Sequence, residues 1–167
     1  MSNIDELLEN NRAFMQDYQG EVLPVAPRRR LAVVACMDSR LDLFRILGLR
    51  AGEAHVIRNA GGIATDDVLR SLTISQRMMG TEEIVLIQHD RCGQVTYVDD
   101  DLSRRIESDT GVRPPFPFLA FIDVDDSVRG SLARIEEAAF LPRNDRVRGF
   151  VFEHETGRLR EVVRPAG

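Results

Sequence analysis

The chain has 167 residues and 18.8 kDa, room for one domain with a proper core and little for a second. All 22 basic residues are Arg, which excludes lysine Schiff bases, pyridoxal enzymes and phosphate loops that need their Lys. A net charge of −5 argues against attraction to nucleic-acid backbones, and 43% hydrophobic residues with 12 Gly and 7 Pro exclude the disordered and collagen-like classes.

The start, Met1 to Glu6, has no basic or apolar leader pattern, and nowhere do about 18 apolar residues run together, so the expectation is a cytoplasmic protein that is not in a membrane. Ser2 or Asn3 caps a helix in which Ile4, Leu7, Leu8, Met15 and Tyr18 recur at helical spacing and which Gly20 ends. Pro24 and Pro27 make a stiff connector, so residues 1–27 read as an arm and linker and 28–167 as a single α/β domain. Leu31 to Ala35 is a continuous apolar run, the pattern of a strand buried on both faces. A short helix over Leu41 to Leu47 stops at Gly48, and a second strand is centred on His55 to Ile57.

Asn59 to Gly62 is a loop, after which Thr65 caps a helix running to Gly80. Glu83 to Gln88 is the third strand. A polar segment follows Cys92, then a loop or broken helix at Pro114-Pro115-Phe116-Pro117. A helix over Ser127 to Phe140, a fourth strand at Val147 to Phe152 and a last strand around Leu159 to Val163 complete the chain. Strands alternating with helices predict a mainly parallel sheet flanked by helices, in the order 2-1-3-4, with the closing hairpin adding an antiparallel edge strand 5. Ligands of such sheets collect at the carboxyl ends of the strands.

Both cysteines fall in loops at those ends. Cys36 follows the first strand, and His89-Asp90-Arg91-Cys92-Gly93 follows the third. Two thiolates and one imidazole make three corners of a tetrahedral Zn²⁺ site with the fourth open, as in catalytic zinc. Inert buried cysteines and a Cys36–Cys92 disulfide are the alternatives, the second disfavoured by a reducing cytoplasm. Two residues beyond Cys36 comes Asp38, which can accept a hydrogen bond from bound water, and then Arg40, which can hold that carboxylate by two parallel bonds. Asn59, Ala60 and Gly61 belong to a glycine-bearing loop able to aim N–H groups at an anionic oxygen, or simply to a tight turn. His55 and His154 read as structural, the one at the far end of its strand and the other in the terminal hairpin.

Cys36-Met37-Asp38-Ser39-Arg40 with His89-Asp90-Arg91-Cys92-Gly93, joined by Arg58-Asn59-Ala60-Gly61, resembles the β-class carbonic anhydrases, and the likeness spans most of Leu31 to Phe152. The length is similar to that of the short prokaryotic subgroup. The resemblance implies one zinc per subunit on Cys36, His89 and Cys92, hydration of carbon dioxide to bicarbonate with Asp38 and Arg40 as catalytic residues, and substrate contacts at Gly61, Ala60 and Asn59. It also implies a homodimer or higher even oligomer in which the helical arm packs over a neighbour. In part of the family the residue matching Asp38 moves onto zinc in acid.

Asp90 and Arg91 depart from the family, which more often has Ser or Thr after the ligand His. With no Trp, the chain cannot build the family's regulatory bicarbonate site in its usual form. Relatives that hydrolyse carbonyl sulfide or carbon disulfide share the ligands, so that hydrolysis is the second reading and a non-catalytic zinc or thiol redox protein the third.

Overall fold

The uninterrupted run Leu31–Cys36 forms β1, and everything from Ala32 onward in it is buried. The computed structural model describes residues 2–20 and 22–163; Met1, Glu21 and 164–167, the end of the expected 28–167 domain, lie outside the described residues. Flanking β1 are β2 (Ala54–Asn59) and β3 (Glu83–His89), both parallel to it, and β4 (Val147–Phe152) runs parallel on the far side of β3. The hairpin strand β5 (Leu159–Glu161) pairs antiparallel with β4. The order β2-β1-β3-β4-β5 is the predicted one.

Alternation along β1 splits the core into two layers. Ala32 and Val34 face one side with Leu72, Leu86, Val128 and Ile135, while Val33 and Ala35 face the other with Leu41, Leu43 and Ile87. Each fully buried Leu or Ile is worth roughly 1.5–3 kcal/mol, so the carboxyl ends of β1 and β3 are held from both faces. The first layer is completed by α3 (Asp66–Met79), capped by Thr65 and closed by Gly80, and by α5 (Val124–Glu137), capped by Asp123. Helix α5 sits directly on the backbone of β4, where a Cβ on Gly149 would lie 2.5 Å from Val128 Cγ1. The second layer is covered by the short α2 (Leu43–Leu47), for which Asp42 supplies the cap, two residues later than the predicted start.

Two further parts of the sequence reading change here. The polar stretch after Cys92 contains a helix, α4 (Asp99–Thr110), although its only buried residue is Ser103. It stands on charge: three aspartates occupy its first turn, and Arg104 and Arg113 pair with Asp100 at 2.7 and 2.6 Å. The last helix starts three residues before Ser127 and ends before Phe140, because the Asp123 carboxylate accepts the Asp126 N–H and fixes the first turn there. Pro114 to Pro117 lies in irregular chain, as expected.

The amino-terminal helix α1 (Asn3–Asp17) opens on a capping box between Ser2 and Asp5. None of its residues is buried, and Ile4, Leu7, Phe14 and Met15 are at least 60% exposed. Among the described residues no helix is long and apolar enough to cross a membrane.

Candidate metal centre

Cys36 is the last residue of β1 and His89 the last of β3, so two neighbouring parallel strands deliver a thiol and an imidazole to the same end of the sheet. Cys92 returns to that point after a turn whose Arg91 has φ +52°, left-handed for a residue other than glycine. The Cys36 and Cys92 Sγ atoms lie 3.9 Å apart, and the ligand atoms of Cys36, His89 and Cys92 are all within 4.8 Å of one another. All three residues are buried, and both cysteines are free.

The His89 tautomer follows from its neighbours. Nδ1 lies 2.8 Å from the Asp90 carbonyl oxygen, an acceptor, so Nδ1 donates and the lone pair is on Nε2. That Nε2 is buried with no hydrogen-bond partner in the protein. A buried, unpaired nitrogen beside two thiols fits a metal ligand set, and two thiolates on one tetrahedral zinc, at about 2.3 Å each, stand about 3.8 Å apart.

The electrostatics of the cluster favour positive charge within it. Burial disfavours a charged His89, but the Cys36 thiolate, the Asp90 carbonyl and the Asp38 carboxylate outweigh it and raise its pKa. Cys36 is the thiol held low, by the hydrogen bond from Cys92 with help from His89 and the Asp38 N–H, against the cost of burial. That bond, together with burial, pushes Cys92 up. The floor of the site attracts positive charge.

Asp38 stands beside it, its Oδ2 3.7 Å from His89 Nε2. Arg40 grips both of its oxygens, Nε on Oδ1 at 2.9 Å and Nη2 on Oδ2 at 2.7 Å, and the Arg40 backbone N–H adds a third bond to Oδ1. This side-chain grip holds the Asp38 carboxyl well below the usual carboxylate range, against partial desolvation. The same Nη2 donates to the Arg91 carbonyl at 3.0 Å and so ties the two loops together.

Arg58, read from sequence only as part of the glycine loop, donates Nε to the Cys36 carbonyl at 2.9 Å and Nη2 to the Asp38 carbonyl at 2.7 Å. It pins the turn carrying both side chains. Asn59 is occupied within its own loop: its amide donates to the Ile63 carbonyl at 2.8 Å and accepts the Ile63 N–H at 2.9 Å. Ala60 and Gly61 line the cleft above the cysteines, a space of about 420 Å³ also bounded by Met37, Gln94, Tyr97 and Phe118. The Gln94 amide accepts from the Tyr97 hydroxyl and donates to the Phe118 carbonyl, leaving the cleft walls largely apolar.

Gly62, just behind the cleft, has φ +64°, and a Cβ there would lie 2.6 Å from the Cys36 nitrogen and 2.8 Å from the Ile87 carbonyl oxygen. Only glycine lets the loop cross β1 and β3 so closely. His55, bonded to Ser75 at 2.7 Å on the far side of the fold, has the structural place expected for it. His154 does not lie apart from the site: its ring meets His89 edge-on at 5.0 Å, and its Nδ1 is 2.6 Å from Asp90 Oδ1.

A family model described as carbonic anhydrase matches residues 31–112. The chain is 49% identical over 163 residues to beta-carbonic anhydrase 1 of Mycobacterium tuberculosis, covering 98% of this chain and 99% of that protein. It is 35% identical to a carbon disulfide hydrolase of Acidithiobacillus thiooxidans over 79% of this chain and 76% of the other. The crystal structure of a carbonic anhydrase from Streptococcus mutans superposes with a TM-score of 0.91 at 39% identity, covering 98% of this chain and 99% of that one.

Proposed function

The chain belongs to the β-carbonic anhydrase family, and from that premise we propose that it is a zinc lyase turning carbon dioxide and water reversibly into bicarbonate and a proton, one zinc per subunit, held by Cys36, His89 and Cys92. The observation that carries this is the buried, unpartnered Nε2 of His89 converging with two free thiols at the ends of adjacent strands. Zinc bound there supplies acidification of a water molecule and with it a hydroxide nucleophile near neutral pH.

The protein's own groups do the rest. Asp38, kept ionised by Arg40, is an acceptor only, so it would accept a hydrogen bond from the attacking oxygen, without taking its proton, and so orient that oxygen's lone pair toward the carbon. Met37, Ala60 and Phe118 present apolar surface to a small, uncharged substrate. Ala60 and Gly61, which line the cleft, are the positions to which the family resemblance assigns contacts with the product's oxygens.

The relatives acting on carbon disulfide give a second reading, since an apolar cleft suits that molecule as well, but identity with them is lower and covers less of the chain. Stopped-flow carbon dioxide hydration measured beside sulfide release from carbon disulfide and carbonyl sulfide separates the two. Fast hydration with negligible sulfide release is the expected result; the reverse ratio overturns the assignment.

The uncovered apolar side of α1 supports a homodimer in which this arm lies on the second subunit. A reducing, cytoplasmic setting is the one that keeps Cys36 and Cys92 available as thiolates for the metal.

A further inference from the structure

Asp90 serves two histidines at once. Its backbone carbonyl accepts His89 Nδ1 at 2.8 Å, while its carboxylate oxygen Oδ1 accepts the His154 backbone N–H at 3.1 Å and faces His154 Nδ1 at 2.6 Å. Its own N–H donates to the Phe152 carbonyl at 3.1 Å, so the residue is fixed to the end of β4 as well. A carboxylate only accepts, which makes His154 Nδ1 the donor and leaves Nε2 as its second nitrogen. That Nε2 is buried and has no hydrogen-bond partner.

The ring of His154 fills the space between Phe152, edge-on at 5.3 Å, and His89, edge-on at 5.0 Å and 73°. Phenylalanine would fill the same volume without leaving a buried nitrogen bare. The reason for an imidazole at this place is therefore the Nδ1–H bond to Asp90, which fixes the residue whose carbonyl holds His89.

We propose that His154, clamped by Asp90, is a positioning residue for His89. The Asp90 carbonyl sets the rotation of the His89 ring, and the His154 bond to the Asp90 carboxylate holds that carbonyl in place, so that Nε2 stays on the point where the two sulfurs converge. This rests on the reading of His89 as a metal ligand. Outer partners of that kind change metal affinity by about 10- to 100-fold when removed.

The experiment uses the full chain with its zinc removed and compares the unchanged protein with His154→Phe and His154→Asn. Phenylalanine keeps a ring but no donor; asparagine places an N–H near the position of Nδ1 and restores the bond to Asp90. Zinc affinity is measured by competition with a chromophoric chelator, and ligand geometry by the visible absorption of the cobalt(II) form. His154→Phe is expected to weaken zinc binding about 10- to 100-fold and to shift the cobalt bands, with His154→Asn recovering most of both. An unchanged affinity and spectrum in His154→Phe, or equal losses in the two variants, overturns the role of His154. If the unchanged protein itself takes up neither metal, the ligand assignment fails and this inference with it.

Discussion

Arg40 holds both carboxylate oxygens of Asp38 and, with the same Nη2, the carbonyl of Arg91 between the two remaining members of the cluster. One guanidinium thus fixes the acid beside Cys36 relative to the turn that carries His89 and Cys92. Arginine is suited to this because its rigid fork matches a carboxylate while a further N–H stays free.

Asp38→Asn should therefore leave metal content unchanged while lowering kcat for carbon dioxide hydration about 100-fold or more. Metal analysis and stopped-flow kinetics on one preparation check this. Equal turnover in the two proteins would remove Asp38 from the reaction.

Gly62 tests how tightly the loop must cross the strands. A methyl group there meets the Cys36 nitrogen and the Ile87 carbonyl, both backbone atoms that cannot step aside, and φ is +64°. Gly62→Ala is expected to destabilise the fold by at least about 1–3 kcal/mol in urea unfolding and to weaken zinc binding in the same protein. Unaltered stability would show that the crossing is looser than the geometry requires.

How far the sequence could be read depended on whether a feature is local. Leu31–Cys36 and Ile84 to Ile87 are unbroken apolar runs, and a run buried on both faces identifies a central parallel strand, which in turn places Cys36 and His89 at one end of the sheet. Helix α4 was illegible because Leu102 and Ile106 are its only large apolar residues, and what holds it is ion pairing that hydrophobic periodicity does not register. The Asn59 amide is satisfied by Ile63 four residues on, a loop geometry that composition does not reveal. His154 was legible only as a hairpin residue, since its link to Asp90 spans 64 positions and exists only once β4 lies beside β3.

Acid stability has a marker outside the metal centre. Arg160 binds both oxygens of Asp125 at 2.7 and 2.9 Å, and this pairing holds the Asp125 carboxyl below the ordinary carboxylate range. A carboxyl with a folded pKa below its unfolded value of about 3.9 adds stability in full above that value and loses it as the pH falls through the folded one. Both partners are partly exposed, so the contribution is no more than about 1 kcal/mol. Asp125→Asn should lower stability at pH 7 by that amount and converge with the unchanged protein near pH 2; a constant difference at every pH would contradict the assignment.

The arm makes a separate prediction. No residue of α1 is buried against its own subunit, so deleting residues 1–20 should leave the circular-dichroism signature of the α/β domain in place and, in the proposed homodimer, shift the mass seen by light scattering toward monomer. An unchanged dimer mass would place the subunit contact elsewhere.

The most direct test titrates metal-free protein with zinc and follows carbon dioxide hydration at each addition. Turnover should rise in proportion to bound zinc and break sharply at one ion per chain, with His89→Ala neither retaining the ion nor turning over. Full activity before zinc is added, or a chain saturated with zinc that hydrates no carbon dioxide, would contradict the account.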